Sequence, residues 1–206
     1  MIQTLYNRLV REQLPQKWKV TGDIAVKSGR LLDTTDEIDM EKTLREGIRE
    51  VVTPGDSVLI IGGGYGTSTV EASRLTGENG SVHTIEPVAE NLNRIDETIR
   101  HNYTHDNIRV TNGYVSHVTD ESIDQFGEPE GMCIDPSELD RYDVIVIDCE
   151  GAETEIVPAL DYRDMVLESH EWTDSPNSYL MMKENTVTYL GDEGPHSSIW
   201  LVQSKE

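Results

Sequence analysis

The stretch SVLIIGGGYGTSTVEASRLTGENGSVHTIE, residues 57–86, contains the strongest indication of the fold in this chain. It opens with a continuous apolar run, residues 57–61, which is typical of a parallel strand buried on both faces. Gly62, Gly63, Gly64 and Gly66 crowd the turn that follows, and Glu86 ends the next apolar stretch. The order of strand, glycine turn, helix, strand and acid predicts the first half of a nucleoside-binding α/β sheet.

The spacing of the glycines indicates which ligand the turn accepts. Dinucleotide folds prefer G-x-G-x-x-G, whose third glycine would fall at Thr67, whereas Gly62, Gly64 and Gly66 form G-x-G-x-G. This pattern is typical of sites for S-adenosylmethionine, a ligand that has no phosphate and needs mainly a close approach of the backbone. We therefore predict S-adenosylmethionine as the cofactor, in contact with Gly62, Gly64, Tyr65 and Gly66.

Two further positions are predicted to bind the nucleoside part of the cofactor. Glu86, at the end of the second strand, can accept hydrogen bonds from both ribose hydroxyls. Gly113 and Tyr114 follow a strand predicted over residues 108–111, at the place that adenine would reach if Glu86 holds the ribose. A plain turn over residues 112–114 is the alternative interpretation.

The composition limits the partners of the chain. Its 206 residues suit one domain, and 39 acids against 17 bases give a net charge of -22. The acids are spread along the whole chain, which indicates a solvated surface adapted to a salt-saturated cytoplasm. No cluster of Lys or Arg is present to bind nucleic acid, and no apolar run or signal-peptide core predicts a membrane or secreted location. Cys133 and Cys149 suggest neither a disulfide framework nor a metal knuckle.

The remaining secondary structure follows from apolar periodicity and from Gly and Pro signals. Helices are predicted over residues 2–12, 36–52, 87–101 and 152–160, with another short one starting at Ser175-Pro176. Residues 17–34 read as a small hairpin or an extended arm, and residues 126–141 as a loop or sheet edge. Further strands are predicted over residues 142–147, 165–168, 186–190 and 198–203, of which the last two suit an antiparallel pair.

The segment Asp148-Cys149-Glu150-Gly151-Ala152-Glu153 follows the strand over residues 142–147. With this segment, residues 57–170 resemble the FkbM-type family of S-adenosylmethionine-dependent methyltransferases, whose fourth strand ends in D-x-E-G-A-E. The resemblance implies a Rossmann-like class I methyltransferase sheet of seven strands, mostly parallel with one antiparallel strand, and with helices on both faces. Residues 1–206 would form a single methyltransferase domain, with 1–36 as an N-terminal helix and arm and 37–206 as the Rossmann-like core. One departure is Ile60, where many class I methyltransferases have an acid that orders the glycine loop.

Methyl transfer to a hydroxyl requires a base, and Asp148 and His170 are the predicted catalytic residues at the strand ends. Asp148 is also expected to contact the cofactor, with a helix N-cap as the alternative role. Asp148, Glu150 and Glu153 together could hold Mg²⁺, but favourable charge at a helix start explains the two glutamates equally well, so no metal site is assigned.

The function that these patterns favour is O-methylation of a small molecule or of a sugar or glycan precursor, in the cytoplasm. The sugar rests on the family resemblance alone. A non-catalytic module that binds S-adenosylmethionine or a nucleoside is the second hypothesis, and a nicotinamide-dependent oxidoreductase on the same type of sheet is the third.

Overall fold

The structure of the protein is a computed structural model, which describes residues 16–30, 40–118, 120, 123, 128–149, 151–170, 185–194 and 196–204. The helices predicted over residues 2–12 and from Ser175-Pro176 lie outside the described residues, as does Glu150. Among the described helices, none is long and apolar enough to cross a membrane.

Strands and helices alternate along most of the described chain. The strands are β1 (Gln16–Thr21), β2 (Ile24–Arg30), β3 (Ser57–Ile61), β4 (Ser81–Glu86), β5 (Ile108–Val115), β6 (Met132–Ile134), β7 (Tyr142–Ile147), β8 (Tyr162–His170), β9 (Asn185–Gly194) and β10 (Ser197–Ser204). The helices are α1 (Lys42–Val51), α2 (Thr67–Thr76), α3 (Ala89–His101) and α4 (Glu153–Ala159), and a short 3₁₀ turn covers Pro136–Glu138.

Within the described residues, eight strands form the main sheet, in the order β6-β5-β4-β3-β7-β8-β10-β9. β10 runs antiparallel to both of its neighbours, and the pairs from β6 across to β8 are parallel. The chain therefore winds outward in one direction from β3 to β6 and in the other from β7. The carboxyl ends of β3 and β7 meet at this change of direction, which is where open α/β sheets bind their ligands.

Helices cover both faces of this sheet, as the sequence predicts. In β3, Leu59 and Ile61 face the side of α4, whereas Val58 and Ile60 face the side of α1 and α2, as the two-residue period of a strand requires. Because both sets of side chains are buried, the central strand is apolar throughout and shows no alternation in sequence.

The predicted hairpin in the N-terminal part is confirmed as β1 and β2, which form a separate two-stranded antiparallel sheet. Ile24 and Val26 pack against Val70 of α2 and Ile99 of α3. The described hairpin is thus a third layer outside the helices.

Several predicted boundaries are corrected by the structure. Residues 112–114 are not a turn after the third strand, because β5 continues to Val115 and pairs with β6. Residues 126–141, predicted as a loop or sheet edge, contain the edge strand β6, which is an eighth strand beyond the seven expected. A Cβ atom on Gly113 would lie 2.6 Å from the carbonyl oxygen of Met132, so the glycine permits this pairing where its sequence context suggests a turn.

Candidate functional site

The glycine turn brings the backbones of β3 and β7 into contact. Gly62 has a φ of +91°, and a Cβ atom there would lie 1.7 Å from the carbonyl oxygen of Asp148. The amide of Asp148 in turn donates to the carbonyl of Ile61 at 2.9 Å. Only glycine fits at position 62, because the two backbones come so close there. This close approach places the start of the turn directly beside Asp148.

A cavity of about 390 Å³ opens at this edge of the sheet. Its volume falls within the range usual for small-molecule sites. The walls come from the ends of β3, β4, β5 and β7, from the start of α3, and from the residues just before α1. The lining residues that the sequence pointed to are Gly62, Gly64, Tyr65, Glu86, Gly113, Tyr114 and Asp148.

Two predicted site residues lie elsewhere among the described residues. Gly66 precedes α2 with a φ of +85°, and a Cβ atom on it would lie 3.1 Å from Cα of Ile95 in α3. It therefore allows two helices to pack and does not line the cavity. His170 is only 5% exposed and lies behind Asp148, away from the cavity wall.

Glu86 holds the glycine turn in place. One carboxylate oxygen accepts the amide hydrogens of Gly63 and Gly64, both at 3.0 Å, and the other accepts from the amide of Val88 at 2.9 Å and the side chain of Asn91 at 3.1 Å. These bonds occupy the roughly four acceptor positions of a carboxylate. Glu86 is only 3% exposed, and this burial raises the pKa of its carboxyl. The four hydrogen bonds act to lower that pKa but do not outweigh the burial.

Glu86 thus has the loop-ordering role that an acid at position 60, here Ile60, was expected to have. Ile60 is buried in the apolar layer under α1 and α2, so the loop is ordered from the neighbouring strand instead. Contact between Glu86 and a ribose stays a prediction. It would require ribose hydroxyls to share or replace donors that the carboxylate already has.

Glu41 is a cavity residue that the sequence reasoning missed. It directly precedes α1 with a φ of +51°, and its carboxylate accepts hydrogen bonds from the hydroxyls of Thr67 and Ser68 at the start of α2. Burial is the main cause that raises its pKa. Glu193 of β9 caps α1, since it accepts from the amides of Lys42, Thr43 and Leu44. No local pattern signals either role, because both depend on contacts between distant segments.

Arg94 and His117 are two further lining residues that the sequence reasoning missed. Arg94 lies over the ring of Tyr65, with its guanidinium carbon 4.9 Å from the ring centroid, and donates to Asn91 at 2.9 Å. His117 contacts Glu155 at 3.1 Å. The complete additional set is Met40, Glu41, Ile61, Ile85, Pro87, Val88, Asn91, Arg94, Val115, His117, Val118 and Cys149.

His170 belongs to a buried group behind Asp148. Its Nδ1 lies 3.6 Å from Oε1 of Glu153, and its Nε2 lies 3.9 Å from Oε1 of Glu168. Burial raises the pKa of Glu168. Burial acts on Glu153 in the same direction, but hydrogen bonding and the charge of His170 outweigh it and lower the pKa of that carboxyl. Asp148 joins this group from the cavity side.

Comparison with known proteins identifies the fold. No protein-family model matches the chain, and no curated protein matches it. Among solved structures, Trm5b from Pyrococcus abyssi superposes with a TM-score of 0.61 at 11% identity, over 94% of this chain and 57% of that one. M. jannaschii TYW2 in complex with AdoMet gives 0.59 at 10% identity, over 92% and 85%. Precorrin-6y C5,15-methyltransferase from Geobacter metallireducens gives 0.57 at 16%, over 87% and 95%.

These likenesses confirm the predicted Rossmann-like class I methyltransferase fold. The strand order supports the same conclusion, since the seven predicted strands are all present and β6 only extends one edge. The chain spans little more than half of the Trm5b chain.

Proposed function

We propose that this protein is an S-adenosylmethionine-dependent methyltransferase of the FkbM type, which transfers a methyl group to an oxygen of a small molecule or sugar. One observation carries the proposal. Seven residues chosen from sequence patterns as cofactor or catalytic contacts line a single cavity at the point where the winding of the sheet reverses.

The residues around the cavity fit this cofactor. The positive φ angles of Gly62 and Gly64 leave the turn without side chains, so a methionine group can approach its backbone. Ile85 and Val88 provide apolar surface on either side of Glu86, which suits the adenosine. Glu86 lies between them as the carboxylate predicted to accept hydrogen bonds from the ribose hydroxyls.

S-Adenosylmethionine would supply an electrophilic methyl group on a sulfonium, which becomes a neutral thioether after transfer. The protein then has to orient the acceptor, exclude water and accommodate the acceptor proton. Asp148 is the member of the predicted catalytic pair that reaches the cavity. His170 is assigned a positioning role, since it contacts Glu153 and Glu168 behind that carboxylate.

The acceptor class rests on charge and on the family resemblance. A net charge of -22 disfavours a polyanion, because binding one requires clustered bases that release its counterions. Arg94 and His117 are the basic residues among the cavity lining, and each is close to an acid, Glu90 and Glu155 respectively. A neutral hydroxyl compound suits this setting better than a nucleic acid.

Calorimetric titration with S-adenosylmethionine and S-adenosylhomocysteine, in about 1 M KCl to screen the surface charge, tests the cofactor. Gly64→Val should abolish binding, because its Cβ would point toward Glu41 at the cavity, 3.4 Å from the carboxylate. Gly55→Val is the matched control: its φ is also positive, at +98°, but a Cβ there meets nothing within 4 Å. No binding by folded wild type, or equal binding by both variants, would contradict the cofactor assignment.

Radiolabelled methyl transfer to a panel of sugars and small hydroxyl compounds then tests the reaction. Transfer that is lost in Asp148→Asn, with cofactor binding retained, is the expected result. Tight cofactor binding without transfer to any acceptor would favour the non-catalytic module. Enhanced NADH fluorescence on mixing would instead favour the oxidoreductase.

A further inference from the structure

Three potential metal ligands converge beside the cavity. β7 and β8 are parallel neighbours with Ile147 opposite Leu167, so Asp148 and Glu168 occupy adjacent positions at the ends of the two strands. His170 lies two residues beyond Glu168 and therefore on the same face of β8. One ligand atom from each of the three side chains lies within 4.8 Å of the other two.

These separations are close to those of a coordinated ion. Ligand atoms at about 2.1 Å from a six-coordinate ion are about 3 Å apart when adjacent and about 4 Å when opposite. Nε2 of His170 and Oε1 of Glu168 are 3.9 Å apart, so small side-chain rotations bring them to such a spacing. This distance is also too long for a direct hydrogen bond between them.

The histidine is supported from behind in the manner of a metal ligand. Its Nδ1 faces Oε1 of Glu153 at 3.6 Å, and its Nε2 lies on the side of Glu168, 3.9 Å from Oε1. Glu153 is fully buried and is itself fixed by the amides of Gly151 at 2.7 Å and His170 at 3.2 Å. A carboxylate on the second ring nitrogen orients most metal-bound histidines and makes them better ligands.

The surrounding charge also favours a cation. Glu193 and Glu41 lie close enough to act on the carboxylate of Glu168, which is 7% exposed. Two buried or half-buried carboxylates, Asp148 and Glu168, then face each other with the imidazole as the third member. Ser197 donates a hydrogen bond to Glu168 and the charge of His170 acts on it, and a divalent ion would add further positive charge between the two acids.

We propose that Asp148, Glu168 and His170 bind one divalent transition-metal ion such as Mn²⁺, with Glu153 as the positioning carboxylate behind the histidine. Two carboxylates and an imidazole suit Mn²⁺ better than Mg²⁺ or Ca²⁺, which prefer oxygen alone. These three ligands differ from the carboxylates that the sequence suggested for Mg²⁺, because Glu153 orients a ligand and does not itself bind the ion. The role of the ion rests on the proposed function: it would bind an acceptor hydroxyl at the cavity and lower the pKa of that hydroxyl.

Titration of the protein with Mn²⁺ in about 1 M KCl, followed by loss of the free-ion electron paramagnetic resonance signal, tests the site. We expect one saturable site per chain in wild type. Glu168→Gln and Asp148→Asn should each weaken binding at least about 10-fold, and Glu153→Gln by about 10-fold to 100-fold. Asp96→Asn is the matched control, since it removes an exposed carboxylate on α3 and should leave binding unchanged.

Equal binding by the three site variants and the control would show adventitious surface ions and overturn the proposal. A wild-type measurement guards against variants that do not fold: spin-echo spectra of bound Mn²⁺ should show modulation from one imidazole nitrogen, and its absence would also overturn the proposal. The cofactor titration repeated with EDTA separates the two proposals. Cofactor binding that persists while Mn²⁺ binding is absent would reject the ion site alone.

Discussion

Replacement of Glu86 by glutamine tests whether this residue holds the glycine turn before any ligand binds. Glu86→Gln keeps the shape of the side chain but turns one acceptor oxygen into a donor NH₂ group. If the remaining oxygen accepts from Gly63 and Gly64, the NH₂ group faces the amide hydrogen of Val88 and the side chain of Asn91. Asn91 can turn its amide oxygen toward the new donor, but the Val88 amide cannot change its polarity.

The variant therefore has at least one buried amide that faces another donor. An unsatisfied buried group costs about 1–3 kcal/mol, and a chain of this size loses about 2–4 °C of melting temperature for each kcal/mol. We expect the ligand-free protein to melt roughly 5 °C lower than wild type. Glu46→Gln on the exposed face of α1 is the control, and its effect should stay below about 0.5 kcal/mol.

Melting curves and denaturant titrations of the ligand-free proteins, in high salt, measure the difference directly. If Glu86→Gln has the same melting temperature as wild type and Glu46→Gln, the four hydrogen bonds of Glu86 do not hold the turn in the free protein. A variant that keeps its stability but no longer binds S-adenosylmethionine would assign Glu86 to the ribose alone. Loss of both properties would mean that one carboxylate serves the turn and the ligand.

Three further results are expected. Gly62→Ala should destabilise the protein by more than about 4 kcal/mol, because its Cβ would lie 1.7 Å from the carbonyl oxygen of Asp148. Gly77→Ala, with a φ of +68° and open space around it, should cost only about 1–2 kcal/mol. Chemical denaturation compares the two variants, and equal losses of stability would mean that φ alone matters. Hydrogen bonds from the amide and hydroxyl of Ser57 lower the pKa of Asp143 below its ordinary 3.8. Asp143→Asn should therefore remove about 1 kcal/mol of stability above that pH, and progressively less as the pH falls through the pKa of the folded state. A stability difference that does not change with pH would contradict this expectation. Raising the KCl concentration from about 0.1 M to about 1 M shortens the screening length from about 10 Å to about 3 Å. Because the chain has a net charge of -22, this should raise its melting temperature. An unchanged melting temperature would argue against salt adaptation.

The central elements of the fold are predictable because local sequence and tertiary environment agree there. The apolar run of β3 and the glycines after it have one consistent interpretation, and a parallel strand leading to Glu86 follows from it. β6 is different, since its three residues have no pattern of their own and pair only because Gly113 lets the neighbouring strand approach. Asn112 and Gly113 form a sequence typical of a turn, but pairing on both sides of β5 keeps them extended.

The site was predictable where it follows strand ends and not where it depends on contacts between distant segments. Asp148 and Glu86 follow apolar strands and could be found in that way. Glu41 could not, because its role arises from the hydroxyls of Thr67 and Ser68 on another helix. The capping of α1 by Glu193 has the same origin, since about 150 residues separate the two partners.

The abundance of acids explains why the functional carboxylates are hard to recognise in this chain. With 39 acids among 206 residues, an Asp or Glu near any given position carries little information. Burial sets some acids apart, since Glu153 is inaccessible and Glu86 and Glu168 are less than 10% exposed, in contrast to the exposed acids of α1; Glu71, in a structural ion pair, is buried as well. A carboxylate is excluded from water only where specific donors or a cation compensate its lost hydration. Amides of the glycine turn compensate Glu86, the amide of Gly151 and the imidazole of His170 compensate Glu153, and Glu168 accepts a hydrogen bond from Ser197 beside the proposed ion.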